Sequence, residues 1–259
     1  MHGVTTEREK DGPKLRRDLT LWGLVIYGII LIQPTAPMPL FGVVSQEARG
    51  HVVTTVLIAM VAMLFTAIGY GRMARAYPSA GSAFTYVGRE FHPALGYVTG
   101  WSMAMDYMLN PILCTIWCSK AAGNIVPEIP YALWALFFAL LFPRNNVIFV
   151  GGLALVGAFV LTYQLAAEML NFGAFIAFMG VNAAAFRRYL LRGKRTIGNC
   201  LPPLAGFAIC LFIWLSLRTP AKLAGGVWLA AGTLYGAWKT RGFRVPVASF
   251  EVPPDESDL

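Results

Sequence analysis

Apolar runs separated by short polar breaks fill the chain from residue 19 to residue 240, and the first run is itself interrupted. It reads Leu19 to Ile32, then Gln33, Pro34, Thr35, Ala36, Pro37, Met38 and Pro39, then Leu40 to Val44. Three prolines within six residues each remove a backbone donor and clash with the preceding turn. In lipid the freed carbonyls need partners, so such a break is tolerated only inside protein or beside a wet cavity. The pattern predicts a broken helix whose interruption lines a binding site, with a simple proline kink as the alternative.

Seven further runs are long or apolar enough to read as helices: 52–76, 94–122, 129–142, 147–164, 168–190, 200–217 and 222–239. The expected architecture is an all-α integral membrane protein of about eight transmembrane helices. Composition agrees. Hydrophobic residues make up 57% of the chain and charged residues 13%, against about 25% charged in a soluble domain. The short fourth run is separated from the fifth only by Pro143, Arg144, Asn145 and Asn146. Either this tetrapeptide turns between two spans, or residues 129–164 form one helix with Arg144 in mid-bilayer.

Charge favours the turn. With it, one side receives the basic residues of the N-terminal tail, Arg72, Arg75, Arg89, Arg144, the cluster from Arg187 to Arg195, and Lys239, Arg241 and Arg244. That side holds 17 of the 21 basic residues, and Arg49, Lys120, Arg218 and Lys222 fall on the other. A fused helix would move the cluster across and bury Arg144, at about 2.5–3.5 kcal/mol on insertion scales. The net charge of +8 therefore reports topology rather than a nucleic-acid partner. Both termini are expected in the cytoplasm of a plasma or inner membrane protein. Residues 1–18 form a polar tail without signal-peptide features. Residues 241–259, with their prolines and acids, form a second tail expected to be disordered.

Asp106 lies about twelve residues into the third span, roughly 18 Å deep and near the middle of a ~30 Å core. An intramembrane acid is by default a functional candidate. It could neutralise a cationic substrate group, carry a coupling proton, or bond a neighbouring helix. Asn110 shares its face one turn on, and Tyr107 and Trp101 add aromatic surface nearby. Glu168 and Asn171 open the sixth span, where a solvated helix end is the plainer reading. Asn182 lies deeper in that helix and is expected to make an interhelical hydrogen bond. The stretch from Tyr77 to Arg89 suits a short helix at the cytoplasmic face. Gly69-Tyr70-Gly71-Arg72-Met73-Ala74 matches a dinucleotide fingerprint only by letters, with no strand before it. No nucleophile–base pair, metal-ligand spacing or cofactor motif is present, and the four cysteines read as apolar thiols. An enzyme is not expected, and no cofactor or metal is implied.

These pieces together resemble the amino acid–polyamine–organocation permease family. The resemblance lies in the broken first helix, in Tyr77-Pro78-Ser79-Ala80-Gly81-Ser82 running on to Tyr86, and in Gly96-Tyr97-Val98-Thr99-Gly100-Trp101. It continues in Glu168 to Ala174 and in Ala177-Phe178 to Asn182, which look like the family's tenth helix. The family fold has inverted repeats that hold substrate between broken helices. By that likeness residues 19–142 correspond to family helices one to four and residues 143–240 to helices nine to twelve. Helices five to eight are missing, with a join near Phe142-Pro143.

The resemblance implies a secondary transporter of amino acids or polyamines with an incomplete substrate site. The retained half comprises Gln33, Pro34, Thr35, Ala36, Pro37 and Met38 together with Asp106, Tyr107 and Asn110. In the family, unwound backbone of the first helix binds the substrate α-carboxylate. Here Pro34 and Pro37 offer no N–H, which tilts the expectation toward an amine with Asp106 as counter-charge. A proton or sodium ion would be the coupling ion, membrane lipids the surroundings, and a parallel homo-oligomer could cover exposed faces. The competing expectation is an internally deleted protein that inserts without transporting, or that assists a full-length relative.

Overall fold

A computed structural model describes residues 20–32, 41–42, 44–45, 48–79, 81–140, 147–191 and 196–243. It contains helices α1 (Leu21–Ile32), α2 (Val52–Ala76), α3 (Ser82–Glu90), α4 (Pro93–Ile125) and α5 (Tyr131–Leu140). These are followed by α6 (Val147–Val160), α7 (Tyr163–Leu191), α8 (Ile197–Ser216) and α9 (Thr219–Lys239). No strand occurs among the described residues. Each apolar run read from the sequence contains a helix, and the segment from Tyr77 to Arg89 yields α3. The polar tail at 1–18, the tail at 241–259 apart from Arg241 to Phe243, and the break at Gln33 to Met38 lie outside the described residues.

The surface is that of a protein solvated by lipid. Val53, Val56, Leu57, Ile58, Met60, Val61 and Leu64 of α2 all stand exposed. So contiguous an apolar patch has no place on a soluble monomer. By length and apolarity α2, α7 and α8 can each cross a membrane. Helix α4 has 33 residues and is about 50 Å long, and Asp106 and Lys120 are its charged residues. Helix α1 stands apart, with its described side chains half-buried or exposed.

Helices α4 and α7 form the axis of the bundle. Lipid tails are as apolar as leucine, so helices in a membrane associate through close packing and polar contacts rather than through hydrophobic burial. Gly173 supplies the close approach, since a Cβ there would meet the backbone carbonyl of Ser102 on α4. Around this point Met105, Leu109, Ile112 and Ile116 pack with Ala135, Ala154, Ala158 and Phe172. A second cluster gathers Met73, Tyr86, Val87, Ala177, Val181 and Ala184 where α2, α3 and α7 meet.

The flanking helices attach by two different devices. On α9, Gly225, Gly232 and Gly236 receive the rings of Phe172, Trp101 and Tyr97. Trp101 Nε1 donates to the Trp228 carbonyl at 3.0 Å, and Trp228 Nε1 returns to the Trp101 carbonyl at 3.2 Å. The two indoles stack with centroids 5.0 Å apart. Where α2, α7 and α8 meet, the attachment is polar: Asn182 Nδ2 of α7 donates to Thr66 Oγ1 of α2 at 3.1 Å, and Thr66 Oγ1 lies 3.6 Å from Cys210 Sγ of α8. This is the interhelical bond expected of Asn182. Gly69 and Gly206 admit the amide, which lies 2.7 Å and 2.9 Å from the places their Cβ atoms would take. Gly69 is thus a packing glycine in mid-helix and no part of a nucleotide loop.

Helices α5 and α6 form a hairpin. Tyr131 Oη donates to the Ala158 carbonyl at 3.1 Å, and its ring meets Phe159 edge-on. In one continuous helix these residues would be separated by about 40 Å. The bonded contact decides for two antiparallel helices, as the charge distribution predicted. One boundary moves. The break after the hairpin falls at Leu161-Thr162, where Thr162 Oγ1 accepts from Leu165 N at 3.2 Å, so α7 begins at Tyr163 rather than at Glu168.

Gly173→Ala is expected to separate α4 from α7 and to destabilise the bundle by roughly 1–3 kcal/mol, the usual cost of overpacking. Gly226→Ala, with open space where its Cβ would stand, should leave stability unchanged or slightly raised. Thermal unfolding of the two variants in the same detergent, compared with the unmodified chain, measures the contrast.

Candidate functional site

The residues singled out for chemistry occupy three levels of the bundle. In the middle of α4, the seam Ser102, Met105, Leu109 and Ile112 is buried, and Asp106, Tyr107 and Asn110 lie off it. Asp106 is half-buried, Asn110 is exposed, and Tyr107 is 69% exposed. Asn110 Oδ1 accepts a contact from Cys114 Sγ at 3.6 Å. Asp106 makes no hydrogen bond or ion pair with any described residue. A further polar group, not evident from the apolar pattern of its helix, belongs to α2. Tyr70 of α2 lies within electrostatic reach of Asp106 and Tyr107. Its ring is held edge-on between Tyr86 at 6.3 Å and Phe178 at 6.2 Å. The Tyr70 hydroxyl is buried without a hydrogen-bond partner.

The Tyr70 hydroxyl and the half-buried Asp106 carboxylate each keep hydrogen-bonding capacity unspent among the described residues. Buried polar groups are nearly always paired, so each calls for a ligand, a water or a further protein group. Of the nine residues expected to form the site, the structure brings Asp106, Tyr107 and Asn110 to one helix face. Gln33, Pro34, Thr35, Ala36, Pro37 and Met38 lie outside the described residues.

At the basic end of the bundle, Glu90 of α3 is buried, its side chain 3% exposed. It accepts from Tyr77 Oη at 2.8 Å and from Arg188 Nη1 at 3.2 Å. The Arg188 guanidinium also lies over the Tyr77 ring, 4.8 Å from its centroid. Nearby, Arg72 donates to the carbonyls of Asn199 at 2.6 Å and Gly198 at 3.2 Å and stacks over Tyr189. These contacts tie α2, α3, α7 and the start of α8 together at one level. The sequence does carry a signal: Glu90 is a lone acid among the arginines of that end.

At the opposite end, Glu168 is no solvated helix end. It sits five residues inside α7, 18% exposed, with Arg218 Nη1 3.7 Å away. It lines a cavity of about 450 Å³ together with Tyr163, Gln164, Asn171 and Arg218.

Comparison with known proteins gives this arrangement a family. Residues 40–215 match the amino acid permease family. The chain is 38% identical over 139 residues to a low-affinity putrescine importer of Escherichia coli K12, covering 54% of this chain and 30% of that one. It is 28% identical over 95 residues to a branched-chain amino acid permease of Bacillus subtilis, covering 37% of this chain and 20% of the relative. A vacuolar cationic amino acid transporter of Arabidopsis thaliana is 30% identical over 123 residues, covering 47% and 19%. The match thus spans about a third or less of each of these three curated relatives. No solved structure matches.

Breaking the buried pair at the basic end leaves one charge without its partner. Glu90→Gln is expected to destabilise the folded chain by on the order of 3 kcal/mol. Its melting temperature in detergent should fall well below that of Arg89→Gln, a change on the same short helix. The matched family segment covers more than half of the sequence and carries the helices described above, so the chain is a multi-pass membrane protein and belongs to the amino acid permease family.

Proposed function

We propose that the chain is a permease-family protein that binds a small amine or amino acid at mid-membrane depth and holds only part of the family's substrate site. The observation that carries this reading is Asp106, an acid in the middle of a 33-residue helix with no counter-charge among the described residues. The Tyr70 hydroxyl, buried without a hydrogen-bond partner and within electrostatic reach of Asp106, supports the same conclusion. A carboxylate at that depth is costly to maintain and is repaid when a cation enters. A phenol can orient an ammonium through its oxygen and ring. Family membership makes a transported solute the natural occupant. The putrescine importer among the relatives fits a charge-neutralising role for Asp106.

The exposure of Tyr107 and Asn110 favours an incomplete site. In the reading adopted here, family helices five to eight are absent and the join lies near Phe142-Pro143. The face of α4 that carries Asp106 then waits for helices that this chain does not supply. A full-length relative or a second copy would have to provide them. Transport coupled to protons or sodium belongs to that completed assembly, and the isolated chain binds without transporting. The basic end of the bundle faces the cytoplasm, and both termini lie there with it.

Two measurements test the reading. Putrescine is expected to raise the melting temperature of the purified chain saturably, and Asp106→Asn to weaken that binding at least about tenfold, the worth of one charge-assisted contact. Equal putrescine binding by Asp106→Asn would refute the assignment. Reconstituted alone, the chain should accumulate no labelled putrescine under an imposed sodium or proton gradient. Robust uptake would show that the site is complete. For the topology, an epitope tag at either terminus should be cleaved by protease in inside-out vesicles and protected in sealed right-side-out ones.

A further inference from the structure

The end of the bundle that holds Glu90 carries cations that the fold leaves unspent. Arg75 lies in the last turn of α2, Arg187 near the end of α7, and Lys239 and Arg241 at and just beyond the end of α9. Contacts bring these ends to one level. Arg72 stacks over Tyr189, Glu90 bonds Tyr77 and Arg188, and the Phe243 ring lies 5.6 Å from that of Tyr97 near the start of α4. Arg75, Lys239 and Arg241 are exposed and Arg187 is half-buried. Arg187 stacks over Phe91 and Lys239 over Tyr235, but none of the four makes an ion pair with a described residue. Of the described acids, Glu90 alone lies at this end, and it is spent on Tyr77 and Arg188.

The chain itself supplies matching anions. Residues 245–259 contain Glu251, Asp255, Glu256 and Asp258 and no basic residue. They follow closely on the turn after α9, which is fixed at this same end. Thr240 Oγ1 accepts from Phe243 N at 2.9 Å, and Gly242 N donates to the Ala237 carbonyl at 2.8 Å. An extended chain spans at most about 3.3–3.6 Å per residue, so Glu251 lies within roughly 28 Å of Phe243 and Asp258 within roughly 50 Å. Neighbouring helices pack about 8–10 Å apart, so that reach extends from α9 across to α2. A single exposed ion pair is worth little, but the tether holds the four acids at an effective concentration in the millimolar range, where several weak pairs act together. The segment 1–18 is a poorer match, because its five cations offset its four acids. An anionic lipid headgroup has the right charge and lacks the tether.

We propose that the acidic segment 251–258 docks on this face as a strap, its carboxylates pairing with Arg75, Arg187, Lys239 and Arg241. Docking needs no fold in the strap, since the match is one of charge. The strap links the ends of α2, α7 and α9 and shields their cations from anionic lipid. It opens as salt rises, because the paired groups are exposed. The contact goes beyond the Asp106 reading and does not depend on it.

The test places a photoreactive benzophenone side chain at Ser257 of the full chain, in nanodiscs of phosphatidylcholine. Irradiation in about 50 mM salt is expected to join it to peptides from the ends of α2, α7 or α9, read by mass spectrometry. Raising the salt to about 0.5 M shortens the screening length roughly threefold and should cut the adduct yield by a similar factor. Neutralising the strap with Glu251→Gln, Asp255→Asn, Glu256→Gln and Asp258→Asn should do the same at low salt. Arg75→Glu with Arg241→Glu should also lower the yield, and adding Glu256→Lys and Asp258→Lys should restore it. Adducts confined to lipid or to residues 1–18, a yield indifferent to salt, or an equal yield from the neutralised strap would each overturn the proposal. If the face variants fail to fold, the salt titration and the neutralised strap decide alone.

Discussion

The bundle depends on how closely α4 and α7 approach. In lipid there is no water to expel from between two helices, so their contact must be held by dispersion and by polar groups denied any other partner. Gly173 against the Ser102 carbonyl sets that distance. Once it is set, Met105, Leu109 and Ile112 can fill the space beside Phe172, and α9 can lay its glycines over Phe172, Trp101 and Tyr97. The same axis turns Asp106 off the buried seam of α4. A wider spacing would loosen the reciprocal bonds of Trp101 and Trp228 and the polar attachment of Asn182 to α2.

The acids of the folded part divide by depth, and depth governs what each can do. Glu90 at the basic end is fully committed, with a phenol and a guanidinium on one carboxylate oxygen. It fastens α3 beneath α2 and α7. Glu168 at the other end is only half committed, with an arginine just out of bonding range. Asp106 between them has no described partner at all. A structural acid satisfied by its own fold has little left to offer a ligand, whereas an acid kept without a partner in a medium of low polarity gains most when a cation arrives.

Membership of the amino acid permease family sets these sites in a transport scaffold, of which the matched segment represents a part. Helices such as α2 and α8, broadly apolar on their outer faces, can remain in lipid without further partners. The face carrying Tyr107 and Asn110 is different, because polar and aromatic groups exposed at mid-depth call for protein or water beside them. The physical question for this chain is therefore local to that face. An added helix there would complete a cage and would also bury the groups that now stand open.

Much of this protein was legible in one dimension. The apolar runs gave the helices nearly to their ends, because a segment long enough to span lipid must satisfy its own backbone by helix formation whatever surrounds it. The excess of arginine on one side gave the α5–α6 hairpin. Asn182 as an interhelical donor was foreseeable because a lone amide in an apolar helix has few alternatives. Partnership was not legible. Nothing adjacent in sequence places Arg188 on Glu90 or Arg218 near Glu168. The start of α7 was misplaced because the capping role of Thr162 emerges only once the chain has turned. Insertion into a membrane is decided segment by segment through local transfer free energies, so sequence alone determined it. Which acid is satisfied and which is left waiting depends on contacts between residues 50 to 98 positions apart, and only the packed bundle could decide that.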